Sequence, residues 1–329
     1  MQNKIDEIVF LKMRDAGEVL AITFRFIREN FKTLTLGILL IVIPFYIIGS
    51  ILMISSIDGL WMDQPESQNL SSLGTMMLAM LFLGLGSVML ITYVNELMKY
   101  VWQHPGEPLP GVWHIWKPTR RYFWWNLLHL VVWFIVVWMF MLSMYIVFFL
   151  FMMGGIAGLS SGSIFIAIVM ALLGIVSMLF VMLYTVSATL PMFFIATCEK
   201  TNIFSALSRS FSLMHATRSN FKSAMLTNLL AFFIQMIISS NIIIPILIIE
   251  GLIEYNSGES TILSGPKTFI KVFYGITYLI SPFLYAIPLI GNGMNYFSMR
   301  ERIDATGLRH RISEIGQQKD FDIYQYEED

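Results

Sequence analysis

Polar and apolar positions in this chain do not alternate with a short period. They separate into long uncharged tracts divided by charged clusters. Six tracts exceed the roughly 18 apolar residues that mark a helix able to cross a bilayer. They are Leu34–Ile57, Leu73–Val94, Leu127–Met153, Ile164–Cys198, Ser223–Ile249 and Val272–Met299. A buried helix of a soluble protein needs only about 14 such residues, so the pattern predicts an all-α integral membrane protein with six transmembrane helices. The fourth tract is long for one crossing and too short for two with a turn. It reads as one long helix, or as a helix followed by an interfacial segment past Pro191.

Composition agrees. The chain is 56% hydrophobic and 13% charged, against about 25% charged in soluble domains. A net charge of −1 gives no global field for nucleic acid. Cys198 stands alone, so an internal disulfide or a cysteine zinc cluster is excluded. The first thirty or so residues are charged and amphipathic, unlike a cleavable signal.

The basic residues sort by connection. They precede the first tract (Arg14, Arg25, Arg28, Lys32), separate the second from the third (Lys99, Lys117, Arg120, Arg121), separate the fourth from the fifth (Lys200, Arg209, Arg218, Lys222), and follow the sixth (Arg300, Arg302). The other three connections are nearly free of them, Lys267 and Lys271 excepted. Basic segments resist translocation, which predicts both termini in the cytoplasm and an even number of spans.

A unit of roughly 95 residues recurs. Each copy has a basic amphipathic segment, a span, a short basic-free loop and a second span. The copies cover about 15–101, 112–199 and 202–299, within one membrane domain over 1–299; a charged cytoplasmic tail follows over 300–329, with Tyr324 and Tyr326 near its acidic end. Asp15 with Glu18 suits the start of the first amphipathic helix and Asn202 that of the last. Apolar faces are expected at Ala16, Val19, Leu20, Thr23, Phe24 and Ile27, and at Ile203, Phe204, Leu207, Phe211 and Met214. In the middle copy Pro108, Pro110 and Pro118 interrupt this segment. The segments read as elbow helices lying in the membrane interface, apolar side in lipid and basic side at headgroups. Arg25, Arg28 and Phe31, then Arg120, Arg121 and Phe123, then Arg209, Arg218 and Phe221 mark the three elbows.

Ala206-Leu207-Ser208-Arg209-Ser210-Phe211-Ser212-Leu213-Met214 resembles the elbow signature of a class of bacterial membrane proteins. That class includes the membrane domain found beside glycerophosphodiester phosphodiesterase domains. Thr23 to Lys32 and Asn295 to Arg302 are similar to free-standing members common in Bacteroidota. The resemblance implies a helical inner-membrane protein and supplies no catalytic residues. The phosphodiesterase domain is not in this chain, so its activity does not transfer.

Candidate chemistry is sparse. Asn95, Glu96, Glu199, Asn292 and Asn295 fall at similar depth near the cytoplasmic ends of their spans and form a candidate polar cluster. The two glutamates read as paired with Lys99 and Lys200 or solvated. Asn228, Gln235, Ser239, Ser240 and Asn241 run through span five, either tying helices together or lining a groove; the first is preferred. No span carries a charge near its centre, which speaks against ion-coupled transport. The five histidines lack metal spacing, and His129 reads as a hydrogen-bonded interior histidine. The 23 methionines read as packing rather than copper ligands. No cofactor is implied. Gly154, Gly158 and Gly162 fall in an expected flexible turn, and Gly84 and Gly86 are candidates for a close helix crossing. Span six, with Pro282 and Pro288, is the one most open to being broken, with ordinary packing of a bent helix the preferred reading.

These features point to a non-enzymatic inner-membrane protein acting through membrane protein partners as a scaffold or assembly accessory. The alternative is a transporter or lipid-handling protein for a neutral or amphipathic solute, with Asn228, Gln235, Asn241 and Asn292 lining its path.

Overall fold

The computed structural model describes residues 9–60, 66–160, 163–257, 267–305 and 312. Among them every regular element is helical. Six helical stretches are long and apolar enough to cross a membrane: Phe31–Ser56, Ser71–Gln103, Phe123–Gly158, Ile164–Glu199, Arg218–Asn241 and Gly275–Asp304. The protein is an all-α, multi-pass membrane protein.

Helix α1 (Ala16–Glu29) begins in a complete capping box: the Asp15 carboxylate accepts from the Glu18 amide at 2.8 Å and Glu18 reaches back to the Asp15 amide. Asn30 ends it, with Nδ2 donating to the Phe26 carbonyl at 2.8 Å. Span one then runs through α2 (Phe31–Gly37), a π-helical turn (Ile38–Val42) and α3 (Ile43–Leu60). The turn lies directly before Pro44, whose ring cannot continue the ordinary hydrogen-bond ladder. Span two lies in α4 (Glu66–Gln103).

Three expectations are corrected here. In the middle of the chain no separate elbow helix forms. Residues 112–122 are continuous with span three in one helix, α5 (Val112–Ser160), which absorbs Pro118 in its second turn. Span six stays one helix, α10 (Lys267–Asp304), through Pro282 and Pro288, in keeping with the preferred reading of an ordinary packed helix. It also continues past Met299, so Arg300 to Asp304 are helix rather than tail. The break comes in span four instead. There α6 (Ile164–Thr189) gives way at Leu190 to α7 (Pro191–Glu199), because Pro191 has no amide to donate. Segment α7 is not interfacial: Pro191 through Ile195 are all buried, against α4, α8 (Ile203–His215) and α10. Ser210 of α8 gives its hydroxyl to the Ala188 carbonyl beside the break at 2.6 Å. Lys200 then turns the chain in the left-handed region, φ 52°.

The elbow helices also differ from expectation. Their apolar faces are buried in protein, not in lipid. In α1 the buried side is Ala16, Val19, Leu20, Thr23 and Phe26, packed on α10 and α9 (Arg218–Ser257). Phe24 is exposed. Arg14, just ahead of α1, bonds to Ser298, and Thr23 lies beside Gly291 two turns earlier in α10. The first half of α1 thus runs antiparallel along α10. In α8 the small residues Ala206 and Ser210 are fully buried and Phe204 is exposed. Small side chains let helix axes approach closely, so Ala206 and Ser210 face the body together with Ile203, Leu213 and Met214.

The densest packing sits at the basic end of the bundle. Residues 88–98 of α4 and 290–299 of α10 are buried throughout. The rings of Phe10, Trp102, Phe194, Tyr296 and Phe297 meet there in edge-on and tilted contacts at 5.0–5.5 Å between centroids. Close crossings surround this core. A Cβ on Gly86 would lie 2.7 Å from the Tyr46 ring, as expected, whereas at Gly84 it would meet nothing.

Spans three and four stand apart. Only 6% of each one's most apolar window is buried, against 28–50% in the other four. Among the described residues, those buried in α5 past Trp133 are Met144, Gly155 and Gly158, and the one buried in α6 before Thr185 is Gly174. Gly154 and Gly158 are helical, not a flexible turn; Cβ atoms on them would lie 2.4 Å from Met170 Cε and 3.0 Å from Ile166 Cγ2. Gly174 meets Phe148 and Phe151 in return. Gly162 and the tail tyrosines Tyr324 and Tyr326 lie outside the described residues.

Candidate functional site: the polar layer at the basic end

The buried polar residues gather where spans four, five and six meet α1 and α8. At the centre Asn228 and Asn292 form a reciprocal pair. Asn228 Nδ2 donates to Asn292 Oδ1 at 3.1 Å, and Asn292 Nδ2 donates to Asn228 Oδ1 at 2.8 Å. Asn228 Nδ2 also reaches Ser187 Oγ at 3.0 Å, and Asn292 Nδ2 the Pro288 carbonyl at 2.8 Å. Asn228 and Asn292 are 4% and 3% exposed, so water does not compete for these bonds. One turn toward the basic end, Ser223 donates to Asn295 Oδ1 at 3.0 Å.

A second group lies between α4, α5 and the break in span four. Asn126 Nδ2 donates to Thr92 Oγ1 at 3.0 Å and Trp133 Nε1 to Thr189 Oγ1 at 2.8 Å. His129 lies between them on α5, with Nδ1 2.6 Å from the Trp125 carbonyl and Nε2 buried without a hydrogen-bond partner among the described residues, so the interior hydrogen-bonded reading holds at one ring nitrogen.

A third group is ionic. Tyr296 Oη donates to Glu199 Oε1 at 2.7 Å. Arg209 sits 4.0 Å from Glu199 Oε2 and 3.0 Å from Asp304 Oδ2, and Arg300 Nε 3.5 Å from the same Asp304 oxygen. Glu199, read as paired with Lys200 or solvated, has Tyr296 and Arg209 as its partners instead. Glu96 does pair with Lys99, at 3.5 Å. The network ties the ends of α7 and α10 to the middle of α8.

A clasp joins the chain's two ends. The Arg14 amide donates to Ser298 Oγ at 2.8 Å, and Ser298 Oγ donates to the Arg14 carbonyl at 3.1 Å. Arg302 reaches that carbonyl and also Asn220 Oδ1 at 3.0 Å. Asn220 in turn donates to the Leu213 carbonyl at 2.8 Å, as Asn30 does to Phe26. The Arg14 guanidinium donates to the carbonyls of Val9, Phe10 and Lys12. Burial lowers its pKa below the ordinary arginine value, opposed by the Glu18 charge.

The expected polar cluster is therefore partly assembled. Asn228 with Asn292, and Asn295 with Ser223, are brought together. Asn95 is buried, with Nδ2 having no hydrogen-bond partner among the described residues. Gln235 is half-buried further along α9, and Asn241 is exposed and bonds its own helix, Nδ2 to the Ile237 carbonyl at 2.7 Å. Among the elbow residues, Arg25 pairs with Glu29 at 2.7 Å and Arg209 joins the ionic network. Arg28, Phe31, Arg120 and Arg218 are exposed, Phe123 and Phe221 pack against the core, and the Arg121 side chain lies outside the described residues. Ser187, Thr189, Trp133, Tyr296 and Ser298 were missed; each is an ordinary residue type until its cross-helix partner is known.

No three His, Cys, Asp or Glu side chains converge among the described residues. Comparison with protein-family models, curated proteins and solved structures finds no match.

Proposed function

We propose that this protein is a non-enzymatic multi-pass component of a bacterial inner membrane, with both termini cytoplasmic, that serves as a scaffold or assembly accessory for other membrane proteins. The observation that carries the reading is the α5–α6 hairpin. Its two spans are among the most apolar in the chain, with hydropathies of 2.5 and 3.0, yet 6% buried. Phe134–Ser160 alone is about 40 Å of helix, enough to cross the hydrocarbon core. A shallow apolar groove runs along it between Leu142, Tyr145, Phe149 and Met152. The occupant proposed is a transmembrane helix of a partner protein, seated by close packing as helices associate in lipid. The polar interior supports the same reading, because Asn228 and Asn292 direct their amides at each other and at neighbouring helices rather than at a path. Resemblance to the bacterial elbow class fits the location proposed.

Extraction in a mild detergent and affinity purification test it. A stoichiometric membrane protein partner, lost from a Tyr145→Ala/Phe149→Ala variant that still folds, is the expected result. A chain that purifies alone under those conditions overturns it.

A further inference from the structure

Two side-chain bonds bring the ends of three spans to one level. Tyr93 Oη donates to the Thr33 carbonyl at 2.7 Å, linking α4 to α2. Asn126 Nδ2 donates to Thr92 Oγ1 at 3.0 Å, linking α5 to the same turn of α4. Thr33, Thr92, Tyr93 and Asn126 therefore share one layer, and α2 packs directly on α5 across it. The uncharged tracts begin or end at this layer: at Leu34 in span one, Val94 in span two and Leu127 in span three. Three independent tract boundaries coincide in space, as they must where hydrocarbon gives way to headgroups.

Exposed aromatics mark the same depth. Phe31 is 62% exposed and Trp124 72%, and each lies two residues ahead of the residue that makes the bond. Aromatic side chains concentrate at this level of a bilayer. Arg28 and Lys32 flank Phe31, and Arg120 lies one turn before Trp124; all three are exposed. None has a carboxylate partner among the described residues, whereas neighbouring Glu29 pairs with Arg25 and Glu96 with Lys99.

We infer that the α1–α2 elbow and the third turn of α5 together form a binding site for the headgroup of an anionic phospholipid. Arg28, Lys32 and Arg120 receive the phosphate, and Phe31 and Trp124 border the first carbons of the acyl chains. The occupant is a membrane lipid rather than a soluble anion because the cations sit one turn above a hydrocarbon boundary with aromatics between. This inference does not depend on the partner reading.

Native mass spectrometry of the full chain, delipidated and titrated with phosphatidylglycerol or phosphatidylcholine, tests it. The wild type binds phosphatidylglycerol more tightly, and rising salt erases the difference. Arg28→Gln/Lys32→Gln/Arg120→Gln weakens phosphatidylglycerol binding on the order of a hundredfold, about fivefold per charge. Lys12→Gln, a cation near the far end of α1 at the level of Ser298, leaves it unchanged. Equal binding of the two lipids by the wild type, or an unchanged triple variant, overturns the site. Should the triple variant not fold, the salt titration on wild type decides alone: a preference that persists at high salt overturns the site, and one that disappears supports it.

Discussion

Replacing Asn228 by Ala removes the hub of the interior polar layer. The substitution deletes donors to Ser187 and Asn292 and the acceptor for the Asn292 amide. Interhelical hydrogen bonds in membranes average about 0.6 kcal/mol and reach about 1.7. A buried group left unpaired adds roughly 1–3 kcal/mol. Asn228→Ala and Asn292→Ala should therefore each cost about 1–3 kcal/mol. The second removal costs less than the first, because its partner is already gone, so the double variant falls short of additivity by about 1–2 kcal/mol. Reversible unfolding in mild detergent or bicelles, followed by the near-ultraviolet signal of the packed aromatics, measures the cycle. Additive losses within about 0.3 kcal/mol would refute direct pairing. Near-zero cost for both singles would favour amides already solvated in a water-filled path.

Other substitutions probe the packing. A Cβ at Gly37 would lie 2.0 Å from the Tyr93 ring, which is fully buried and hydrogen-bonded, so Gly37→Ala should cost about 1–3 kcal/mol by overpacking. Gly84→Ala meets open space and should stabilise by about 0.5–1 kcal/mol through helix propensity; the same reversible unfolding measurement reads both. Gly158→Val should pry α5 from α6, since its Cβ would already lie 3.1 Å from the Ala167 amide nitrogen, a backbone atom that cannot rotate away. Disulfide trapping between cysteines introduced at Gly155 and Ala167 should slow relative to wild-type packing. Ser298→Ala should release the segment before α1, seen as faster amide exchange at residues 9–14 while α9 and α10 stay protected.

Much of the fold could be read from charge placement alone. Uncharged tracts set the spans because a charge in hydrocarbon is costly, and that rule needs no knowledge of packing. Asn228, Asn292 and Asn295 were equally visible, since amides inside such tracts require partners. What one sequence cannot supply is which face of a helix meets protein and which meets lipid. Both are apolar, so the apolar faces of α1 and α8 read as lying in lipid, whereas all but Phe24 and Phe204 of the residues named for them are buried or half-buried in protein. The same ambiguity hid the exposure of α5 and α6. Gly154 and Gly158 read as a turn because their close contact with α6 depends on helix α5 extending to Ser160. Pro191, Pro282 and Pro288 have the same local chemistry, yet only Pro191 interrupts its helix, where α8 supplies Ser210 to the Ala188 carbonyl.

The account rests on the α5–α6 hairpin being covered by protein in its native membrane. Single-particle imaging of the chain extracted directly into lipid nanodiscs from those membranes tests this most directly. The account predicts helical density of another polypeptide packed along Leu142–Met152. Lipid alone against both faces of the hairpin, in particles containing a single chain, would contradict it.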